Sequence, residues 1–225
     1  TARLHPFSIS PEDGIRAFSR VRRRWDATVP EALANRDKAG SFTDLTSELN
    51  IYKTLGRRGF AHQLLAVRVS GGAAWDTGAN AFFYSTGGTP GQAERITGLG
   101  LVPATNTLFP IRGYPRGIRS GSRVWSASVE YRVPIGRVNR AFGDLPLYLD
   151  WISAVLFADA GNAWGPLSHA THFTTLRRAP LTSLGGELLL SGLPLWTAAT
   201  QLRVGVAVPF ADNSLSFYVR LGRTF

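Results

Sequence analysis

Apolar and polar residues alternate along much of the chain, which is the pattern of a β-strand whose two faces meet different surroundings. In the segment SRVWSASVEYRVPI, the apolar face carries Trp125, Ala127, Val129, Tyr131, Val133 and Ile135, and the polar face carries Ser126, Ser128, Glu130 and Arg132. The segments QLRVGVAVPF and SLSFYVRLGRTF repeat this alternation, whereas long stretches with helical spacing are not seen. We therefore predict an all-β fold.

Nine strands are predicted from this pattern and from the turn residues between them. They lie near 3–10, 14–26, 41–55, 60–74, 122–135, 146–161, 182–192, 199–210 and 214–225. Most connections alternate between short turns and long loops, and the longest loop covers 75–121. Outer-membrane barrels have short turns at one end and long loops at the other. An antiparallel transmembrane β-barrel is therefore the predicted class, and a soluble β-sandwich is the alternative.

Composition limits the possible functions. The chain has 225 residues, which suits a single domain, and a net charge of +10 that is compatible with nucleic acid or with an anionic membrane surface. It contains no cysteine, so neither a disulfide nor a thiolate ligand is available. No apolar run is long enough for a transmembrane helix. Because the sequence does not start with methionine, we expect a mature or truncated product.

The segment FPIRGYPRG, from Phe109 to Gly117 in the longest loop, carries the most specific motif. Here the sequence resembles the outer-membrane assembly and two-partner-secretion superfamily, the bacterial surface antigen family that includes BamA, TamA and the TpsB transporters. The motif of that family is Ile or Val, then Arg, Gly, and Phe or Tyr, at the tip of a long loop that folds back into the barrel. Ile111, Arg112, Gly113 and Tyr114 match it.

Three further family motifs follow in the expected order. The next strand carries an inward glutamate, Glu130, and the strand after it ends in F-x-D-x-G, matched by Phe157, Asp159 and Gly161. The C terminus resembles the β-signal that the assembly machinery reads, with Tyr218, Gly222 and Phe225. The resemblance implies that residues 1–225 are the C-terminal part of one barrel of about sixteen strands, with 75–121 as the inward-folded loop. It also implies that N-terminal strands and any periplasmic domain are absent from this chain.

The residues of the loop motif suit such a position. A guanidinium carried into a barrel needs a carboxylate partner, because an unpaired buried charge is costly and the planar fork of arginine binds carboxylates with two hydrogen bonds. The resemblance implies that Arg112 binds Asp159, with Glu130 nearby, and that this contact holds the loop inside the barrel. We therefore expect Arg112→Ala to free the loop and to weaken activity. We use the name loop lock for Arg112, Gly113, Tyr114, Glu130, Phe157, Asp159 and Gly161.

The family function implied for this chain is to help insert other proteins into the outer membrane or to translocate them across it. No covalent chemistry, cofactor or metal is implied, so the chain is not expected to be an enzyme. The implied partners are outer-membrane lipid, unfolded or secreted client proteins and periplasmic accessory proteins, and the implied location is the bacterial outer membrane. The last predicted strand, 214–225, would offer its edge to a client strand. Two alternatives remain: a passive channel or receptor barrel, and a membrane anchor for an upstream enzymatic or propeller domain.

Other chemistry has little support in the sequence. His169 and His172 lack a third metal ligand at useful spacing, and Asp150 and Asp159 are too far apart along one strand for an acid–base pair. The arginine run 22–24 lies beside Trp25, where a lipid headgroup is a simpler partner than nucleic acid. The remaining inward arginines are expected to be a solvated polar lining with counter-charges: Arg16, Arg20, Arg22, Arg68, Arg132, Arg203 and Arg220.

Overall fold

The computed structural model describes residues 8–24, 42–75, 84–90, 109–141, 147–166, 174–175, 179–194, 200–211 and 214–221. Within these ranges the chain forms strands and turns and no helix, as predicted. The strands are β1 (Gly14–Arg24), β2 (Phe42–Arg58), β3 (Ala61–Trp75), β4 (Tyr84–Thr86), β5 (Arg119–Gly121), β6 (Arg123–Ala141), β7 (Leu147–Pro166), β8 (Thr174–Thr175), β9 (Leu181–Pro194), β10 (Thr200–Pro209) and β11 (Ser216–Leu221).

Eight of these strands form one antiparallel sheet in the order β1-β2-β3-β6-β7-β9-β10-β11. Each strand pairs with the next long strand along the chain, which gives an up-and-down arrangement. The short strand β8 pairs with the end of β7, and β4 pairs with β5 in a separate ribbon. In the described part of the chain, β1 and β11 are therefore the edge strands of the main sheet.

Eight of the nine predicted strands correspond to observed strands in order, but their boundaries differ. The strands predicted at 122–135 and 146–161 extend further, to Ala141 and Pro166. The strand predicted at 3–10 is wrong for its described residues 8–10, which form no strand, and residues 3–7 lie outside the described ranges. Pro11 explains part of this difference, because proline disfavours regular strand pairing around it.

Between β2 and β3 the turn is tight, and Gly59 adopts a positive φ of 65° there.

The two faces of the sheet have opposite surroundings. Polar side chains of the inner face are buried, including Asn50, Ser70, Ser126 and Ser153. Large apolar side chains of the outer face are exposed, and the exposed fraction reaches 62% for Leu156 and 75% for Phe217. In a soluble protein the apolar face of a sheet packs on the core and the polar face meets water. This sheet is arranged the other way round.

The described parts of the segment between β3 and β6, residues 84–90 and 109–122, lie against the buried polar face. Its ribbon of β4 and β5 is continued by contacts with the motif segment, where Thr86 pairs with Phe109 and Gly88 with Ile111. The backbone amide of Gly88 also donates a hydrogen bond to the carbonyl of Tyr114 at 3.0 Å. The described parts of the long loop are therefore one folded unit that packs on the sheet.

Candidate functional site

The centre of the site is a contact between the loop and β7. Arg112 donates three hydrogen bonds to Asp159: Nε to Oδ2 at 2.7 Å, Nη2 to Oδ1 at 2.7 Å, and the backbone amide to Oδ2 at 3.0 Å. The guanidinium is almost fully buried. The structure thus brings together the two residues that the sequence predicts as partners, in the two-pronged geometry that arginine forms with carboxylates.

The remaining guanidinium hydrogens of Arg112 also have acceptors. Nη2 donates to Ser128 at 2.8 Å, and Nη1 donates to Glu130 at 2.8 Å and to Glu187 at 3.3 Å. These acceptors lie on β6 and β9, on either side of β7. One loop side chain therefore joins three adjacent strands. A buried guanidinium with every hydrogen directed at an acceptor avoids the cost of an unpaired polar group.

Electrostatics keep Arg112 charged in this position. Burial by itself disfavours the charged guanidinium, but Asp159, Glu130 and Glu187 more than offset this effect. The pKa of Arg112 therefore lies well above its ordinary value. Arg112 therefore remains a cation where it attaches the loop to the sheet.

The ring of Phe157 packs against the guanidinium of Arg112. The central carbon of the Arg112 guanidinium lies 3.6 Å from the centroid of the Phe157 ring, which is a cation–π contact. The ring needs the space left by Gly185 on β9, because a β-carbon at Gly185 would lie 2.4 Å from the ring. The aromatic position of F-x-D-x-G thus carries the flat face on which the arginine rests.

The glycine of F-x-D-x-G gives room for the residue before the arginine. A β-carbon at Gly161 would lie 2.8 Å from Cδ1 of Ile111 and 2.6 Å from the carbonyl oxygen of Trp125. Ile111 is fully buried here and packs with Tyr114 and Leu181. Each of the three motif residues on β7 therefore has a separate contact with the loop motif or its immediate surroundings.

Gly113 and Tyr114 complete the attachment. Gly113 has a φ of 91°, and a β-carbon there would lie 3.0 Å from Cβ of Ala207, so only glycine fits without strain. The Tyr114 hydroxyl donates to the carbonyl of Thr182 at 2.9 Å, which joins the loop to the start of β9. All seven residues of the loop lock are thus assembled at one place on the inner face.

Several inward arginines are buried and paired, which differs from the expected solvated lining. Arg132 binds Glu130 through Nη2 at 2.7 Å, and its Nη1 donates to Ser10 at 2.6 Å. Arg203 and Arg220 bind Glu187 at 3.1 and 2.8 Å. The difference arises because the docked loop and the segment 8–12 cover the inner face and exclude water from it.

Glu187 is the site residue that sequence reasoning missed. It lies in the mostly apolar segment SLGGELLLSG of β9, and it matches none of the family motifs used above. A single carboxylate in an otherwise apolar strand is itself a signal, because a charge in a membrane-spanning or buried strand needs a partner. This signal does not indicate which residues pair with Glu187.

A second attachment of the loop lies on the same inner face, at β2. The Tyr84 hydroxyl donates to Oδ2 of Asp44 and to the carbonyl of Leu45, both at 3.3 Å, while Arg22 binds the other oxygen of Asp44 at 2.7 Å. The Tyr84 ring packs edge-on against Phe109, with centroids 5.4 Å apart. Burial and the nearby Asp44 carboxylate raise the pKa of Tyr84 above its ordinary value, so this hydroxyl remains a donor.

The predicted β-signal is described only in part. Tyr218 lies on β11 with its ring on the inner face, where it packs over Gly205, and its hydroxyl donates to Glu187 at 2.7 Å. Gly222 and Phe225 lie outside the described residues. The role of these three residues as a recognition signal stays a prediction.

No family model matches the chain, and neither a curated protein nor a solved structure is significantly similar to it. The resemblance to the outer-membrane superfamily therefore rests on the motifs and on the contacts that they make. The described ranges contain no helix that could span a membrane. They also contain no cluster of three or more histidine or acidic side chains suited to a metal ion, and His169 and His172 lie outside them.

Proposed function

We propose that this chain is part of an outer-membrane β-barrel that assists the insertion or translocation of other proteins. The observation that carries the proposal is the docked loop, whose Arg112 is bound by carboxylates on β6, β7 and β9. A loop held by such contacts on the inner face is what the resemblance to the outer-membrane assembly superfamily implies. The proposal therefore rests on the motif in the loop and on the contacts that the residues of this motif make with the sheet.

Lipid as the outer partner is supported by the exposed apolar face. Its members come from all eight strands of the main sheet and include Ile15, Ile51, Val69, Val129, Leu156, Leu188, Val204 and Val219. Soluble proteins rarely expose apolar surface on this scale, whereas a membrane barrel presents it to lipid. In our proposal the sheet continues with further strands into a closed barrel, since lipid does not satisfy an unpaired strand edge.

The filled inner face favours assembly over a passive channel. Buried guanidinium and carboxylate groups are paired with one another, and the loop covers them. A channel for small solutes would instead need an open polar lumen. We propose that β11 offers its edge to a strand of the client, because it is an edge strand in the described part of the sheet and the resemblance implies that the last strand receives the client.

The proposal can be tested with the native protein purified from its membrane and reconstituted into liposomes. The probe is a urea-unfolded eight-stranded outer-membrane barrel, and the readout is the rate at which it becomes heat-resistant on a gel as it inserts. We expect insertion to be about tenfold faster than in empty liposomes, a change equal to about 1.4 kcal/mol in the barrier. The same vesicles are then examined for ion conductance.

Equal insertion rates with and without the protein would contradict the proposal. Steady, open conductance together with equal rates would identify the passive channel instead. Empty liposomes and liposomes containing an unrelated porin serve as controls, because any inserted barrel perturbs lipid packing.

A further inference from the structure

Glu187 lies between the loop and the last strand and binds both. Its Oε1 accepts hydrogen bonds from Arg112 of the loop at 3.3 Å and from the Tyr218 hydroxyl of β11 at 2.7 Å. Both of its carboxylate oxygens lie 2.8 Å from Nη2 of Arg220, also on β11. The carboxylate is completely buried. A single side chain on β9 thus contacts the loop lock and the edge strand at the same time.

The edge strand β11 has a backbone partner on one side only in the described part of the chain. It pairs with β10 through Ser216–Leu221, and no described strand lies at its other edge. The inner face of β11 carries Tyr218 and Arg220, and both bind Glu187. The Glu187 contacts are charged and buried, and β10 is the only described backbone neighbour of β11, so these contacts help to hold β11 in place.

A direct contact links β11 to the loop as well. Nη1 of Arg220 donates to the carbonyl of Pro90 in the loop at 2.8 Å, while Nη2 of the same guanidinium binds Glu187. Tyr218 also packs in one apolar cluster with Phe157, the ring on which Arg112 rests. Release of the loop would therefore remove the Pro90 contact of Arg220, and it would also take Arg112 away from Glu187.

We propose that Glu187 is a positioning residue that couples docking of the loop to the closure of β11 on the sheet. With the loop docked, Arg112 helps balance the buried carboxylate and fixes it where Tyr218 and Arg220 reach it. With the loop released, Glu187 loses one cation and Arg220 loses the Pro90 carbonyl, and β11 separates from β10 more often. This inference rests on the proposed function in taking β11 as the strand that receives the client, so loop release would change how firmly that strand is held on the sheet.

The test is a double-mutant cycle read by hydrogen–deuterium exchange of the peptide that contains β11. The variants are Arg112→Ala, Glu187→Gln and the combination, made in the native protein in lipid. Glu187→Gln keeps the size of the side chain and removes its charge. We expect each single variant to raise exchange in β11 about tenfold and the double variant to raise it by much less than the product of the two effects, because both break the same coupling.

The matched control is Glu48→Gln on β2. Glu48 is a half-buried glutamate whose carboxylate accepts a hydrogen bond from Asn50 at 2.7 Å, on a strand that is not adjacent to β11. It should leave exchange in β11 unchanged. Exchange in β2 serves as an internal reference in the variants of Arg112 and Glu187.

Two results would overturn the inference: unchanged exchange of β11 in Arg112→Ala, or effects of the single variants that multiply in the double variant. If Glu187→Gln does not fold, Tyr218→Phe takes its place in the cycle, since it removes only the hydroxyl that binds Glu187. It should raise exchange in β11 and reduce the added effect of Arg112→Ala, and independent effects would again overturn the inference.

Failure of this inference and failure of the proposed function give different results. Exchange of β11 is measured without a client, so the coupling can be present in a protein that inserts no client. Conversely, fast client insertion combined with independent effects in the cycle would leave the proposed function intact and remove the coupling.

Discussion

Arg112 and Asp159 meet in a two-pronged contact, with Nε and Nη2 of the arginine each 2.7 Å from a different carboxylate oxygen. The backbone amide of Arg112 donates to the same carboxylate at 3.0 Å. Both the main chain and the side chain of Arg112 thus attach the loop to β7. This holds the loop tip in one orientation. This contact connects the sequence motif to the position of the loop.

Asp159→Asn should release the loop, because it leaves the buried guanidinium without its main counter-charge. Breaking a buried ion pair by removing one partner costs about 3 kcal/mol or more. The measurement is trypsin cleavage after Arg112, a bond that is buried in the docked loop. We expect rapid cleavage in the variant and resistance in the wild-type protein.

Asp150→Asn is the matched control on the same strand. Asp150 is half-exposed and lies 3.4 Å from Arg137, a surface pair worth at most about 1 kcal/mol. It should leave the bond after Arg112 resistant to trypsin. Equal protection in Asp159→Asn and Asp150→Asn would show that Asp159 does not hold the loop.

Gly161→Ala should disturb the loop without changing any charge. The added carbon would lie 2.8 Å from Ile111 and 2.6 Å from the carbonyl oxygen of Trp125, so the loop or β6 has to shift. Overpacking of this kind costs about 1–3 kcal/mol. Gly186→Ala on β9 is the comparison, because its added carbon meets only ordinary contacts at 3.6 Å or more. If both variants unfold at the same urea concentration as the wild type, the close packing of Ile111 on β7 is not needed.

Tyr84→Phe should loosen the second attachment of the loop by a smaller amount. It removes two hydrogen bonds, but Asp44 keeps its contact with Arg22, so a loss of about 1 kcal/mol is expected. The readout is hydrogen–deuterium exchange of the peptide around β4 and β5. Tyr131→Phe removes a hydroxyl that binds Gln63 elsewhere on the sheet and should leave this peptide unchanged. A variant with wild-type exchange around β4 would show that the Tyr84 hydroxyl has no role in the attachment.

A single cysteine at Val219 should cross-link to a client strand. The chain has no cysteine of its own, so an introduced thiol is unique, and Val219 lies on the outer face of the edge strand β11. A cysteine at Val129, exposed on the outer face of the internal strand β6, is the control. We expect a disulfide to a client thiol only from position 219. Equal cross-linking from both positions would indicate random contact in the membrane and would contradict strand addition at β11.

Much of the fold follows from the sequence because alternation with a period of two has a direct structural meaning. The faces predicted for Glu130, Arg132 and Val129 are the observed ones, since one strand determines its own alternation. The strand predicted at 3–10 was wrong for residues 8–10 because Ile9 is buried by tertiary contacts and not by strand pairing. Local pattern does not distinguish these two causes.

The site was predictable only where a motif marked it. Arg112 and Asp159 are 47 positions apart, and their contact was expected from the resemblance. Glu187 lies 75 positions from Arg112, and nothing in the local sequence of β9 indicates which strands will face it. Its partners depend on the register of β9 with β7 and β10 and on the docked loop, which are properties of the whole sheet.

The most direct test of the proposed role of the loop lock is client insertion by Arg112→Lys compared with wild type in the same liposomes. Lysine keeps the positive charge but lacks the planar fork that binds Asp159, Glu130 and Ser128 together. We predict that the variant still enters the membrane and that it inserts the unfolded barrel about tenfold more slowly, a difference of about 1.4 kcal/mol in the barrier. Insertion at the wild-type rate by a membrane-inserted Arg112→Lys variant would contradict a role for the docked loop in the function.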